Sequence, residues 1–216
     1  MVPLQMTEAQ DPGRRRIRFV VMACTMLFFG GGSLIDGLSR WREPTVDTAA
    51  MLENLARASG QSEAMERVHA AGAEIAARHR QALRIDVLLT IGAALLTLYA
   101  AAAIFLGDLQ ARRLAVASGV AGLAVHLARL PLAIAAARQL AGLGAPVLQQ
   151  FMIQNGKQAP GMSPADMAIA LHGTVVMIPL FQAAIGCLWP LALLIFFGGR
   201  RGRDLAGTAR PPTAHG

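Results

Sequence analysis

The stretch 124–133 reads AVHLARLPLA and sets His126, Arg129 and Pro131 inside a long run of Ala, Leu, Val and Gly. An imidazole titrates near neutral pH and can take up or relay a proton. A guanidinium is permanently charged and binds carboxylates or small anions. Three residues apart on a helix, the two share a face. The chemistry open to them is therefore ion pairing, or the lining of a proton or small-anion path. A charge in hydrocarbon costs about 2.5–3.5 kcal/mol on insertion scales, so Arg129 calls for an acid. The candidates are Asp36 and Asp86, each near the end of another apolar block. Asp36 is favoured, because helical Cβ vectors tilt toward the N-terminus and point it inward. Asp86, or an outward reach of the Arg129 stem, is the alternative. Pro131 also frees the carbonyl of Leu127, which could hinge the helix or open a polar notch.

Other chemistry is sparse. The chain contains no HExxH, no glycine-rich phosphate loop and no GxSxG, so no enzyme is expected. Ser118 and His126 fall on one stripe but two turns apart, too far for a dyad. Cys24 and Cys187 lie inside apolar blocks and are expected as small hydrophobes, not a disulfide or a metal motif. His126 and His172 could in principle ligate haem b. Their expected depths differ by about 10 Å at 1.5 Å per residue, so no cofactor is expected.

These residues must be positioned by elements that suit lipid. Of 216 residues, 54% are hydrophobic and 15% are charged, with mean hydropathy +0.45. Soluble domains carry nearer a quarter charged residues. The net charge is +7 and Lys157 is the sole lysine. The arginines gather at the ends of apolar blocks, which points to anionic lipid and not to nucleic acid. A hydrocarbon core needs about 20 apolar residues, and four segments qualify: 17–38, 85–106, 114–137 and 167–197. Strand-like alternation is absent, so the expected class is an all-α polytopic membrane protein with a four-helix bundle. Ser163-Pro164-Ala165-Asp166 reads as the start of the last helix, and Pro179 and Pro190 are expected to kink it.

Placing the N-terminus inside sets ten arginines on the cytoplasmic side and nine basic residues outside. Density decides it: RRRIR, RR and RRGR abut the spans. Both termini are expected in the cytoplasm of a plasma-membrane protein, as the basic tails 1–16 and 198–216. Loop 107–113 then lies inside, and segments 39–84 and 138–166 outside. The first block, ending in Gly30-Gly31-Gly32, resembles a signal peptide. Apolar residues continue through Leu34 and Ile35, which favours an uncleaved anchor.

The outer segment 39–84 reads as a helical hairpin. One helix begins near Val46 and stops near Gly60, and Ser62 can cap a second. In the second, Met65, Val68, Gly72, Ile75, His79 and Ala82 recur at spacings of three and four. Such a seam packs on the same chain, or docks a partner or a second copy. It meets no breaker before Ile85, which suggests one helix projecting from the membrane. On the third span Val116, Val120, Leu123, Leu127, Leu130 and Ile134 form a bulky stripe suited to lipid. Ser118, Gly119, Gly122, His126 and Arg129 form a small or polar stripe suited to close helix packing.

Three functions follow as expectations. The first is a subunit, assembly factor or scaffold acting through helix packing and the outer hairpin, with a protein partner or a homo-oligomer. The second is a small transporter or channel-like protein using His126 and Arg129. A haem b protein is the least favoured.

Overall fold

The computed structural model describes residues 12–42, 45–108, 110–155 and 164–199. These form six helices: α1 (Pro12–Arg42), α2 (Asp47–Ala58), α3 (Ser62–Arg78), α4 (Arg80–Leu106), α5 (Ala111–Gln154) and α6 (Pro164–Gly198), with no strand among the described residues. Helices α1, α4, α5 and α6 are each long and apolar enough to cross a membrane, as a multi-pass membrane protein requires. Residues 1–11 and 200–216, and Lys157 and Ser163, lie outside the described residues.

The four long helices form an antiparallel bundle in which α1 packs on α4, α4 on α5 and α5 on α6. Small residues permit the close approaches. A Cβ on Gly37 would stand 2.8 Å from Ile91 Cγ1, and one on Gly122 would stand 2.9 Å from Pro190 Cγ. Aromatic side chains join α1 to α6: Phe29 stacks on Trp189 at 4.6 Å, and Phe19 meets Phe196 edge-on at 5.9 Å. Met26, Ala100, Ala101, Ala115, Leu193 and Phe197 form a buried core reaching all four helices. At this end Arg112 donates from Nε to the carbonyl of Phe197 at 2.9 Å, satisfying a C-terminal acceptor of α6.

A second core lies beyond the other end of the bundle. Leu52 of α2, Val68 and Ile75 of α3, Leu140 and Val147 of α5, and Val175 of α6 are its buried members. Two of the long helices therefore run through both cores. The 44 residues of α5 extend about 66 Å, roughly twice a hydrocarbon core. Gly60, at φ +68°, makes the tight turn from α2 to α3. The Gln61 amide reaches back to the Ala56 carbonyl at 2.9 Å, as in a glycine C-cap. The N-cap of α3 is Gln61, and Ser62 is the first helical residue.

Two sequence expectations change. Segment 138–166 reads as a loop, yet α5 continues to Gln154. Leu140, Gly144 and Val147 are buried against the cap that α2 and α3 form, and that burial carries the helix past Pro146, which is exposed. The projecting helix is not continuous with the second span, because helix geometry is interrupted at His79 (φ −108°, ψ 21°). There the axis is redirected: α3 packs chiefly on α2 and α5, whereas α4 packs on α1 and α5. Of the two uses open to the seam, the one found is packing within the chain. Val68, Gly72 and Ile75 are buried, Met65 packs against the same core, and a Cβ on Gly72 would meet Ala49 Cβ at 2.7 Å. A partner would have to use another face.

Candidate functional site: an ion-paired junction and its cavities

The junction between the two cores is where the charged residues meet. Arg129 on α5 makes a two-pronged pair with Asp86 on α4: Nε donates to Oδ1 at 3.0 Å, and Nη2 lies 2.9 Å from Oδ2. Nη2 also donates to Thr90 Oγ1 at 3.1 Å, and Nη1 to Asp47 Oδ2 at 3.4 Å. The other oxygen of Asp47 accepts from Arg40 Nη1 at 2.8 Å. Arg40 in turn holds Asp36, one helical turn back on α1, at 3.0 Å. Fork-to-carboxylate pairing is the strongest form such contacts take.

This corrects the expectation that Asp36 would pair with Arg129. Asp36 belongs to Arg40 at i+4, and the guanidinium of Arg129 goes to Asp86. The cause is local: an i,i+4 pair forms within one helix, whereas α4 lies directly against α5 and α1 does not. Asp86 and Thr90, also i and i+4, present two oxygens to Arg129 together. Arg129 lies fifteen residues beyond Leu114, about 22 Å along the helix. A span of about 20 residues beginning at Leu114 would set Arg129 in its second half, where a charge is less costly than at the centre.

Asp47 is the first residue of α2, so its carboxylate both complements the helix N-terminus and fastens the cap to the bundle. Neither Asp47 nor Arg40 is apparent as a site residue in the sequence. The available signals are the Asp36–Arg40 spacing and the acid opening a helix.

His126 is placed by a glycine. A Cβ on Gly186 would fall 2.5 Å from the imidazole Cε1 and 2.7 Å from Nδ1, so only a residue without a side chain admits the ring there. Among the described residues no hydrogen bond reaches either ring nitrogen. His172 lies fourteen residues from Gly186 on α6, about 21 Å away along the helix, so the two histidines cannot share one iron. Ser118 Oγ shares a 2.6 Å hydrogen bond with Thr97 Oγ1 on α4. Gly119 and Gly122 lie against Pro190 of α6. The small stripe of the third span thus meets two neighbours, while Val120 and Leu127 of the bulky stripe are exposed.

Three cavities adjoin Arg129. One of about 250 Å³ lies beside His79, Asp86 and Leu89, at the α3–α4 bend. One of about 300 Å³ lies inside the bundle, bounded by His126, Thr97, Ser118 and Trp189. A small one of about 80 Å³ lies on the cap side of His126, against Asp47 and Gln182. Toward the α1 N-terminus from the bundle cavity lies the buried apolar core of Met26, Leu193 and Phe197. No protein family, curated protein or solved structure matches this chain.

Proposed function

We propose that this chain is a non-enzymatic subunit, assembly factor or scaffold of the plasma membrane, with both termini cytoplasmic and the α2–α3 cap on the outer side. The observation that carries the reading is the fastened junction. Asp47 binds Arg40 and Arg129 at once, and the cap shares a core with α5 and α6. Such a cap is held in one orientation and can present a surface. Its outward face on α3 exposes Glu63, Glu66, Arg67, Glu74 and Arg78, with Glu63–Arg67 and Glu74–Arg78 paired along the helix. A charged, mixed surface of this kind suits a protein partner or a second copy more than lipid. The full chain purified in mild detergent should migrate as a complex. Reversing the charges of Glu66 and Glu74 should release it to a monomer. A monomer from the start, or a complex indifferent to the reversal, would overturn the proposal.

A transport reading is second, favoured by the cavities on both sides of His126. The buried apolar core of Met26, Leu193 and Phe197 weighs against it, because a polar solute would have to cross that dry layer. Liposome flux that falls in the His126→Ala and Arg129→Ala variants would promote it; unchanged leak would remove it.

A further inference from the structure

We infer that the bundle cavity is a binding site for a neutral, lipid-soluble amphiphile whose head carries a carbonyl or hydroxyl group, entering sideways between α1 and α6. Five observations lead there. The volume of about 300 Å³ is at the small end of ligand sites, enough for a compact head with the tail left outside. The walls are mixed in the way such sites are: Phe29 and Trp189 make an aromatic side, Val125 and Leu193 an aliphatic one, and Thr97 and Ser118 a hydroxyl pair.

The imidazole of His126 borders this space, and among the described residues neither nitrogen has a hydrogen-bond partner. A neutral imidazole has one donor and one acceptor, and a carbonyl or hydroxyl head would engage one of them. The charge balance excludes an ionic head. Arg129 is already satisfied by Asp86, Asp47 and Thr90, and Asp36 by Arg40. Three carboxylates against two guanidiniums leave no surplus positive charge for an anion. A cation would have to reach carboxylates already occupied by arginine.

The entrance follows from the packing. Among the described residues α1 and α6 nowhere bring their Cα atoms within 8 Å; only large side chains span the gap. At that gap the rim is apolar and open, with Ile185 69% and Phe29 43% exposed, and Ser33 on α1 is exposed at the mouth. In a bilayer this rim faces acyl chains. Access is therefore from the hydrocarbon, and the ligand must partition there first.

The test uses the full chain in nanodiscs of fixed phosphatidylcholine composition. Trp41→Phe leaves Trp189 as the single tryptophan, and decylbenzoquinone serves as a neutral, quenching probe. Saturable quenching of Trp189 is expected, relieved by dodecanol and not by dodecanoate. His126→Leu should weaken the probe about tenfold, the equivalent of one lost hydrogen bond to a desolvated head. His126→Gln, which keeps a donor and an acceptor, should stay within about threefold of the parent. Ser33→Phe, at an exposed position that does not disturb the core, should abolish saturation by filling the mouth. Linear, unsaturable quenching in the parent overturns the inference, as does an affinity unchanged in His126→Leu or saturable quenching that survives Ser33→Phe. Equal competition by dodecanoate would overturn the neutral-head assignment. None of these outcomes depends on whether the cap binds a partner.

Discussion

Replacing Asp86 by asparagine removes the two-pronged partner of Arg129 while keeping the side-chain volume. Arg129 would retain Asp47 at 3.4 Å and Thr90 at 3.1 Å, contacts that do not form a fork. Breaking a fully buried pair from one side costs about 3–5 kcal/mol, because the surviving charge stays desolvated. Here the side chains of Asp86 and Arg129 are 13% and 21% exposed, and a second acid remains, so the expected loss is about 2–3 kcal/mol. Asp36→Asn should cost no more than about 1 kcal/mol, since Asp36 is 46% exposed and pairs within its own helix. The double replacement Asp86→Leu with Arg129→Met removes both charges and should recover most of the loss seen in Asp86→Asn. The assay is reversible unfolding in mixed micelles, followed by far-UV circular dichroism and by tryptophan fluorescence. The reasoning is refuted if Asp36→Asn is as damaging as Asp86→Asn. It is equally refuted if the double replacement is worse than the single one.

Two further outcomes test the packing. Gly186→Ala would place a methyl group 2.5 Å from the His126 ring and should destabilise the bundle by about 1–3 kcal/mol. Combining it with His126→Ala should restore most of that, so a double-mutant cycle should report strong coupling. Gly72→Val would force apart α2 and α3, whose backbones approach where a Cβ would stand 2.7 Å from Ala49 Cβ. The cap should then open more often, and trypsin cleavage after Arg57 should speed by about tenfold or more, as an overpacking cost of about 1–3 kcal/mol implies. Unchanged cleavage would mean that the cap core tolerates the added volume.

Much of the architecture follows from the chain itself. Four blocks long enough for hydrocarbon dictate helices, because every backbone group must be satisfied without water. The division of the third span into a bulky and a small stripe is a matter of period alone. In the structure Val120 and Leu127 face outward and Ser118 and Gly119 meet neighbouring helices, whereas Val116 of the bulky stripe packs against the bundle core. The need of Arg129 for an acid is also legible, since a charge in that setting demands compensation. Val68, Gly72 and Ile75 carry their burial in their spacing.

What the sequence leaves undecided is which elements come to lie side by side. Along the chain the Cβ tilt favours Asp36 over Asp86; the contact of α4 with α5, and the capture of Asp36 by Arg40, reverse that order. The reach of α5 to Gln154 depends on a surface supplied by α2, α3 and α6, which hydropathy does not report. Asp47 becomes the bolt of the junction because Arg40 and Arg129 converge from different helices, a meeting with no signature in either stretch. His126 shows the same division of labour. Its helical face is set by periodicity, but its seat is set by Gly186, sixty residues along the chain. Short-range patterning fixes which side of a helix is buried, because that depends on neighbours three and four residues away. The identity of the partner across the interface is a long-range property, decided by packing volume and charge together once the helices have assembled.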